Sequence, residues 1–107
     1  MNTSSNPILQ AEANYQRSEF IKSELAMCST FTILANMKYE AGNRHSAARS
    51  LAHGEEVYAG LLPLVLDPGH LRHLTSEQVQ QFTVELERLR ESLDRLHRTD
   101  SSKDRGA

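Results

Sequence analysis

The chain has 107 residues, 38% of them hydrophobic and 24% charged, with no Trp, three Phe and three Tyr, so it holds one domain whose core is aliphatic and Ala-lined. A formal net charge of -2 supplies no long-range positive field, which argues against nucleic acid and an anionic membrane as partners. One cysteine, Cys28, excludes an internal disulfide, and the chain lacks the run of about 18 apolar residues that a membrane span needs.

The start, Met1-Asn2-Thr3-Ser4-Ser5, has neither the basic residues nor the apolar run of a secretory leader, which leads to the expectation of a cytoplasmic protein. Residues 1–6 are too polar to pack and read as disordered. Ser5 and Asn6 place capping-type side chains before Pro7, the residue best tolerated in a first helical turn, so a helix is expected from Pro7. No Gly or Pro interrupts it before Gly42. Two adjacent stripes run along it: Phe20, Met27, Phe31 and Leu34 on one, Ile21, Leu25, Cys28, Ala35 and Tyr39 on the other. Two stripes imply two packing neighbours.

Gly42-Asn43 supplies a C-terminal cap and then an N-terminal cap, which predicts a tight turn between antiparallel helices. The second helix is expected from Arg44, with Ala47, Ala48, Leu51, Ala52, Tyr58, Leu61 and Leu62 inward. Gly60 and Pro63 disfavour a helix interior, so a kink or irregular turn is expected there, and Asp67-Pro68-Gly69 ends the segment by turn chemistry. Thr75-Ser76-Glu77-Gln78 matches a capping box and fixes the start of a third helix. Val79, Phe82, Leu86, Leu89, Leu93 and Leu96 then alternate spacings of three and four, a heptad seam. Glu91 with Arg95 and Asp94 with Arg98 stand at helical pair spacing on the outer face. Residues 99–107 are too polar to pack and read as a disordered tail. The fold expected is all-α: an antiparallel three-helix, up-down-up bundle over residues 7–98 with a long first helix.

Chemistry-bearing patterns are sparse. His70 and His73 form a His-x-x-His pair beside a Pro-Gly turn, without the further ligands that a zinc site requires. The expectation is no metal and no cofactor. Glu55-Glu56 and Glu85 with Glu87 point different ways around a helix and read as solvated faces. Ser29, Thr30 and Thr32 have no His within a helical turn to act as a base, and the five glycines are never spaced to cradle phosphate. Arg88, Arg90, Arg95 and Arg98 are interleaved with Glu85, Glu87, Glu91 and Asp94, which cancels their field. No catalytic residue is assigned.

Leu34-Ala35, then Ala41-Gly42-Asn43, Ala47 and Leu51, resemble the helix-turn-helix of one tetratricopeptide repeat and the first hairpin of microtubule-interacting-and-transport domains. The second resemblance covers more of the chain, because those domains are three-helix bundles whose third helix returns after a longer connection. Arg44 stands where both families usually carry a Tyr, and no second copy at a period near 34 residues occurs. The resemblance implies a helical hairpin that holds a peptide or helix in an interhelical groove.

A non-enzymatic protein-interaction or assembly module is therefore expected; the alternative is a small-ligand or metal-binding bundle that works through its histidines. A comparison of lengths adds one expectation. A helix over 7–41 extends on the order of 50 Å and one over 76–98 about 35 Å, which leaves an N-terminal arm uncovered. Ile8, Leu9, Ala11 and Tyr15 form a thin apolar stripe on that arm, and a homodimer built through it would bury the stripe twice.

Overall fold

The computed structural model describes residues 7–106, and the expectations for residues 1–6 and for residue 107 lie outside them. Among the described residues the chain is all-helical: α1 (Pro7–Glu40), α2 (Arg44–Leu66), α3 (Pro68–Leu71) and α4 (Ser76–Gly106). The expected count of three is thus corrected to four. The Asp67 carboxylate accepts from the Gly69 N–H at 2.7 Å, and Pro68 supplies the fixed φ of a first helical position, so the turn closes one helical turn of its own.

The α1–α2 connection is built from the two residues that signalled it. Gly42 takes φ +81°, the left-handed conformation that a side chain resists, and the Asn43 and Gly42 N–H groups return to the Lys38 and Tyr39 carbonyls at 2.8 and 3.1 Å. The Asn43 side chain then accepts from the Ser46 N–H at 3.4 Å and opens α2. The capping box of α4 forms in both directions: the Gln78 N–H donates to Thr75 Oγ1 at 3.0 Å, and the Thr75 N–H donates to Gln78 Oε1 at 2.9 Å.

The irregular turn and part of the inward face expected for α2 are corrected. The helix passes through Gly60 and Pro63 without a break. Pro63 is exposed and so is Ala59, whose carbonyl loses its helical donor, so the missing hydrogen bond falls on the outer face of the helix and not in the core. Ala48 and Ala52 are exposed rather than inward, whereas Ser50 and Gly54 are buried beside Ala47, Leu51 and Leu61. The α2 face that meets α1 lies one residue away from the face the alanines suggest.

The end of α4 is also corrected. Helical geometry continues from 99 to Gly106, past the boundary expected at 98. Three contacts hold its start: the Thr99 hydroxyl donates to the Arg95 carbonyl at 3.1 Å, Asp100 pairs with Arg44 at 3.5 Å, and the Asp100 carboxylate lies against Tyr39. Burial, and then that carboxylate, push the Tyr39 phenol up to about 12.

The core is one cluster: Ile21, Leu25 and Cys28 of α1, Leu51, Leu61 and Val65 of α2, and the α4 seam of Phe82, Leu86, Leu89, Leu93 and Leu96. Gln78 of α4 stands beside Ser18 of α1 at one end and Asp100 beside Arg44 at the other, so α4 runs along α1 in the same direction. The result is a rod with extents of 68 × 18 × 17 Å. Gly54 sits where three helices meet. A Cβ there would stand 3.2 Å from Leu93 Cδ2 and 3.5 Å from Phe31 Cβ, so its missing side chain is what lets α1, α2 and α4 close together.

Candidate interaction surface

The two stripes of α1 meet different fates. Ile21, Leu25, Cys28, Ala35 and Tyr39 are all buried. Phe20, Met27 and Leu34 of the other stripe are 53%, 44% and 37% exposed, and Phe31 is partly exposed, its ring lying 5.2 Å from that of His53. α4 fills one side of the α1–α2 hairpin and leaves the other side open. Along that open side α1 presents Phe20, Glu24, Met27, Phe31, Leu34 and Lys38, spaced alternately by four and three, a second heptad seam. From Leu25 to Met37 no residue of α1 is charged, so the open seam is apolar through its middle.

α2 forms the other wall. Phe20, Glu24, Glu56, Val57, Gly60 and Leu64 line a cavity of about 350 Å³ between the two helices, with an apolar floor and a carboxylate from each wall. At the opposite end of the groove the Lys38 ammonium reaches across from α1 and donates to the Ser50 hydroxyl at 2.9 Å. Arg49, exposed, adjoins Ser50 and stands seven residues before Glu56, two turns along the same face of α2. The groove is therefore acidic at one end, basic at the other and apolar between.

Several polar groups elsewhere are committed to structure. Glu55, expected on a solvated face, is half-buried and accepts from the two terminal guanidinium nitrogens of Arg90, at 2.9 and 2.5 Å. His97 Nε2 lies 2.7 Å from the same carboxylate. Arg90 also pairs with Asp94 at 2.9 Å and covers the Tyr58 ring, its Cζ 4.8 Å from the centroid. The Arg90 hydrogen bonds hold the Glu55 carboxyl below its ordinary range, and Glu55 in turn raises Arg90. The basic stretch of α4 is thus in part an interhelical clamp, and Asp94 pairs with Arg90 rather than at the expected spacing toward Arg98. The only sequence signal for the clamp is an Arg and a His seven residues apart on one helix face, and nothing local identifies Glu55 as their partner.

The histidines that invite a metal reading fasten α3 and its following loop to α1. The Arg17 guanidinium lies 2.6 Å from His70 Nδ1, and His73 Nδ1 lies 3.3 Å from Asn14 Oδ1. Among the described residues no group of three or more His, Cys, Asp and Glu stands together. The hydroxyls of Thr30 and Thr32 donate to the Ala26 and Cys28 carbonyls at 2.9 and 2.8 Å. Cys28 is fully buried, its thiol donates to the Gly54 carbonyl at 3.4 Å, and burial pushes it up to about 11.

The arm residues are exposed, Ile8 to 76%, Leu9 to 58% and Tyr15 to 66%, and Ala11 is exposed with them. Their setting differs from the length argument, because α4 has 31 residues against 34 in α1. The overhang comes from offset instead: α4 begins opposite Ser18, and the His73 loop covers one side of the arm as far as Gln10. Ala11 and Tyr15 line a separate cavity of about 410 Å³ with Arg72, His73, Thr75 and Gln78. Among the described residues no helix is long and apolar enough to cross a membrane. No family model, curated protein or solved structure matches the chain.

Proposed function

We propose that this protein is a non-enzymatic interaction module of the cytoplasm, an up-down-up bundle of its three long helices that docks helical protein segments along the open side of the α1–α2 hairpin. The observation that carries this reading is the second heptad seam of α1, apolar and uncharged through its centre and only partly covered by the helices described. Isolated exposed apolar residues need no explanation, but a seam aligned at three-four spacing is built to receive another helix. The hairpin with an interhelical groove is also what the likeness to tetratricopeptide and microtubule-interacting-and-transport hairpins implies. A non-enzymatic role is supported by the commitments of the reactive groups: a sealed thiol with a raised pKa, threonine hydroxyls bonded to their own helix, and histidines used as struts.

Met27 and Met37 provide the test. Both are exposed, at 44% and 57%, but only Met27 lies on the seam. In hydroxyl-radical footprinting of the full chain, Met27 is expected to be protected relative to Met37, either in purified protein at micromolar concentration or in extract of the native host. Similar oxidation of both residues under both conditions overturns the docking reading.

A further inference from the structure

The charges of the groove say what occupies it, and the inference rests on the docking reading above. Glu24 and Lys38 on α1 are centred on Phe31. Arg49 and Glu56 on α2 are centred between Ala52 and His53. Phe31 and His53 are in ring contact at 5.2 Å, so the two helices, counted independently, give the same midpoint. Rotation by 180° about an axis through that point, perpendicular to the rod, exchanges the acidic end for the basic end. A groove of this kind is complementary to itself.

We propose that the occupant is a second copy of this chain, docked groove to groove about a two-fold axis beside Phe31 and His53, so that Glu24 and Glu56 of each copy face Lys38 and Arg49 of the other. The contact is isologous, with the same surface used twice and no open end for further growth. From Phe20 to Lys38 it runs about 27 Å along α1, which places four helices around a shared apolar seam with α4 of each copy on the outside. At each end Lys38 of the other copy, on giving up its own Ser50 hydroxyl, can lay its aliphatic stem across the apolar floor of Phe20, Val57 and Leu64 and set its ammonium between Glu24 and Glu56. The ordered acid-to-base arrangement fixes the antiparallel register, since a parallel arrangement would set like charges together at both ends. The Ile8–Leu9 arm lies beyond this contact and is not needed for it.

Charge reversal in the full chain tests the pairing. The wild type is expected to be a dimer at tens of micromolar by light scattering coupled to size exclusion. E24K/E56K has two basic groove ends and K38E/R49E two acidic ones, so each alone is expected to self-associate about a hundred-fold more weakly while keeping its helicity. Mixed together they are expected to form a heterodimer, because a basic groove then faces an acidic one. The pairing cannot be recovered by two misfolded chains, so its recovery also controls for folding. A dimer that survives both reversals, variants that fail to pair when mixed, or loss of the dimer on changing Ile8 and Leu9 to Gln would each overturn the groove-to-groove contact. A wild type that stays monomeric while Met27 is protected in host extract overturns the second copy and leaves the docking reading standing; a monomer with Met27 unprotected in extract overturns both.

Discussion

Met27 and Cys28 are adjacent in sequence and lie on different sides of the same helix. Cys28 belongs to the stripe that α2 and α4 close over, where it is fully buried, and Met27 belongs to the stripe that faces the open groove and keeps 44% of its surface exposed. Residue type does not separate the stripes, since both are apolar and both keep helical periodicity. What separates them is supply: among the described residues there is one further long helix to offer the α1–α2 hairpin, and α4 can fill only one side. The filled stripe is what makes the domain fold, and the unfilled stripe is what a folded domain can use.

Breaking either stripe should therefore have different consequences. Leu86→Asp places an unpaired charge in the α4 seam, at a residue only 4% exposed, and is expected to cost several kcal/mol, enough to unfold a domain whose whole stability is about 5–15 kcal/mol. Leu34→Asp, on the open stripe, is expected to cost the isolated chain only about 1 kcal/mol, from the poorer helix preference of Asp and the part of the Leu34 side chain that α2 already covers. Thermal melts in dilute solution compare the two. Equal losses would mean that the open stripe is part of the fold's own core.

The two glycines of α2 sharpen the contrast at smaller scale. Around Gly60, in the wall of the groove, a Cβ would meet nothing within 4 Å, so Gly60→Ala should gain the helical preference of alanine, about 1 kcal/mol. Gly54→Val pushes branched carbons toward Leu93 Cδ2 and Phe31 Cβ, and overpacking of this kind is expected to cost about 1–3 kcal/mol. Chemical denaturation of both variants checks the signs, and a stabilised Gly54→Val would mean that the three helices do not meet there.

Local chemistry was the legible part of this fold. The Gly42-Asn43 turn, the Thr75–Gln78 box and the α4 seam all depend on neighbours within a turn or two, so their residues announce them. Gly54 was harder, because a lone glycine in a helical pattern reads as a weak point until the close approach of α4 is known. The Glu55 clamp was not legible: Arg90 is 35 residues away and His97 is 42, and on α4 alone those side chains look like an ordinary charged face. The ordered stretch around Asp100 was missed for the same reason, since its partner Arg44 lies at the far end of the hairpin. The two stripes of α1 were visible from periodicity, but which one would be covered depends on where α4 lies.

The clamp joins α2 to α4 on the closed side, and its pH dependence follows from the direction of the shift. The Glu55 carboxyl is held below its ordinary value, chiefly by Arg90, so its stabilisation is present above the unfolded value, near 4.5, and is lost as pH falls through the lower folded value. Glu55→Gln should cost about 1 kcal/mol at pH 7, a partly exposed charge-assisted pair being worth less than a buried one, and progressively less in acid. Melting temperatures of wild type and variant that stay equally far apart from pH 7 down to pH 2 would remove the ion pair from the account.

The last effect expected returns to Cys28, and its pH dependence is absent at neutral pH. Burial raises the thiol from an ordinary 9.0 to about 11, so between those values the unfolded chain releases a proton that the folded chain keeps. Stability linked to this group is therefore fully present below pH 9 and is lost as pH rises through about 11. Tyr39, pushed up to about 12, adds a similar decline from its ordinary 10.0 upward, so the comparison must be made against a chain that differs only at Cys28. Cys28→Ala starts from a lower melting temperature, having lost a packed sulfur, and should decline less steeply between pH 9 and 11. A thiol reagent at pH 8 supplies the companion measurement: Cys28 should react on the order of 10³-fold or more slowly in the native chain than in denaturant, because reagent reaches it only through opening of the core. Rapid labelling of the native protein, or parallel declines of wild type and Cys28→Ala, would place Cys28 on an accessible face like that of Met27 and erase the distinction between the two stripes.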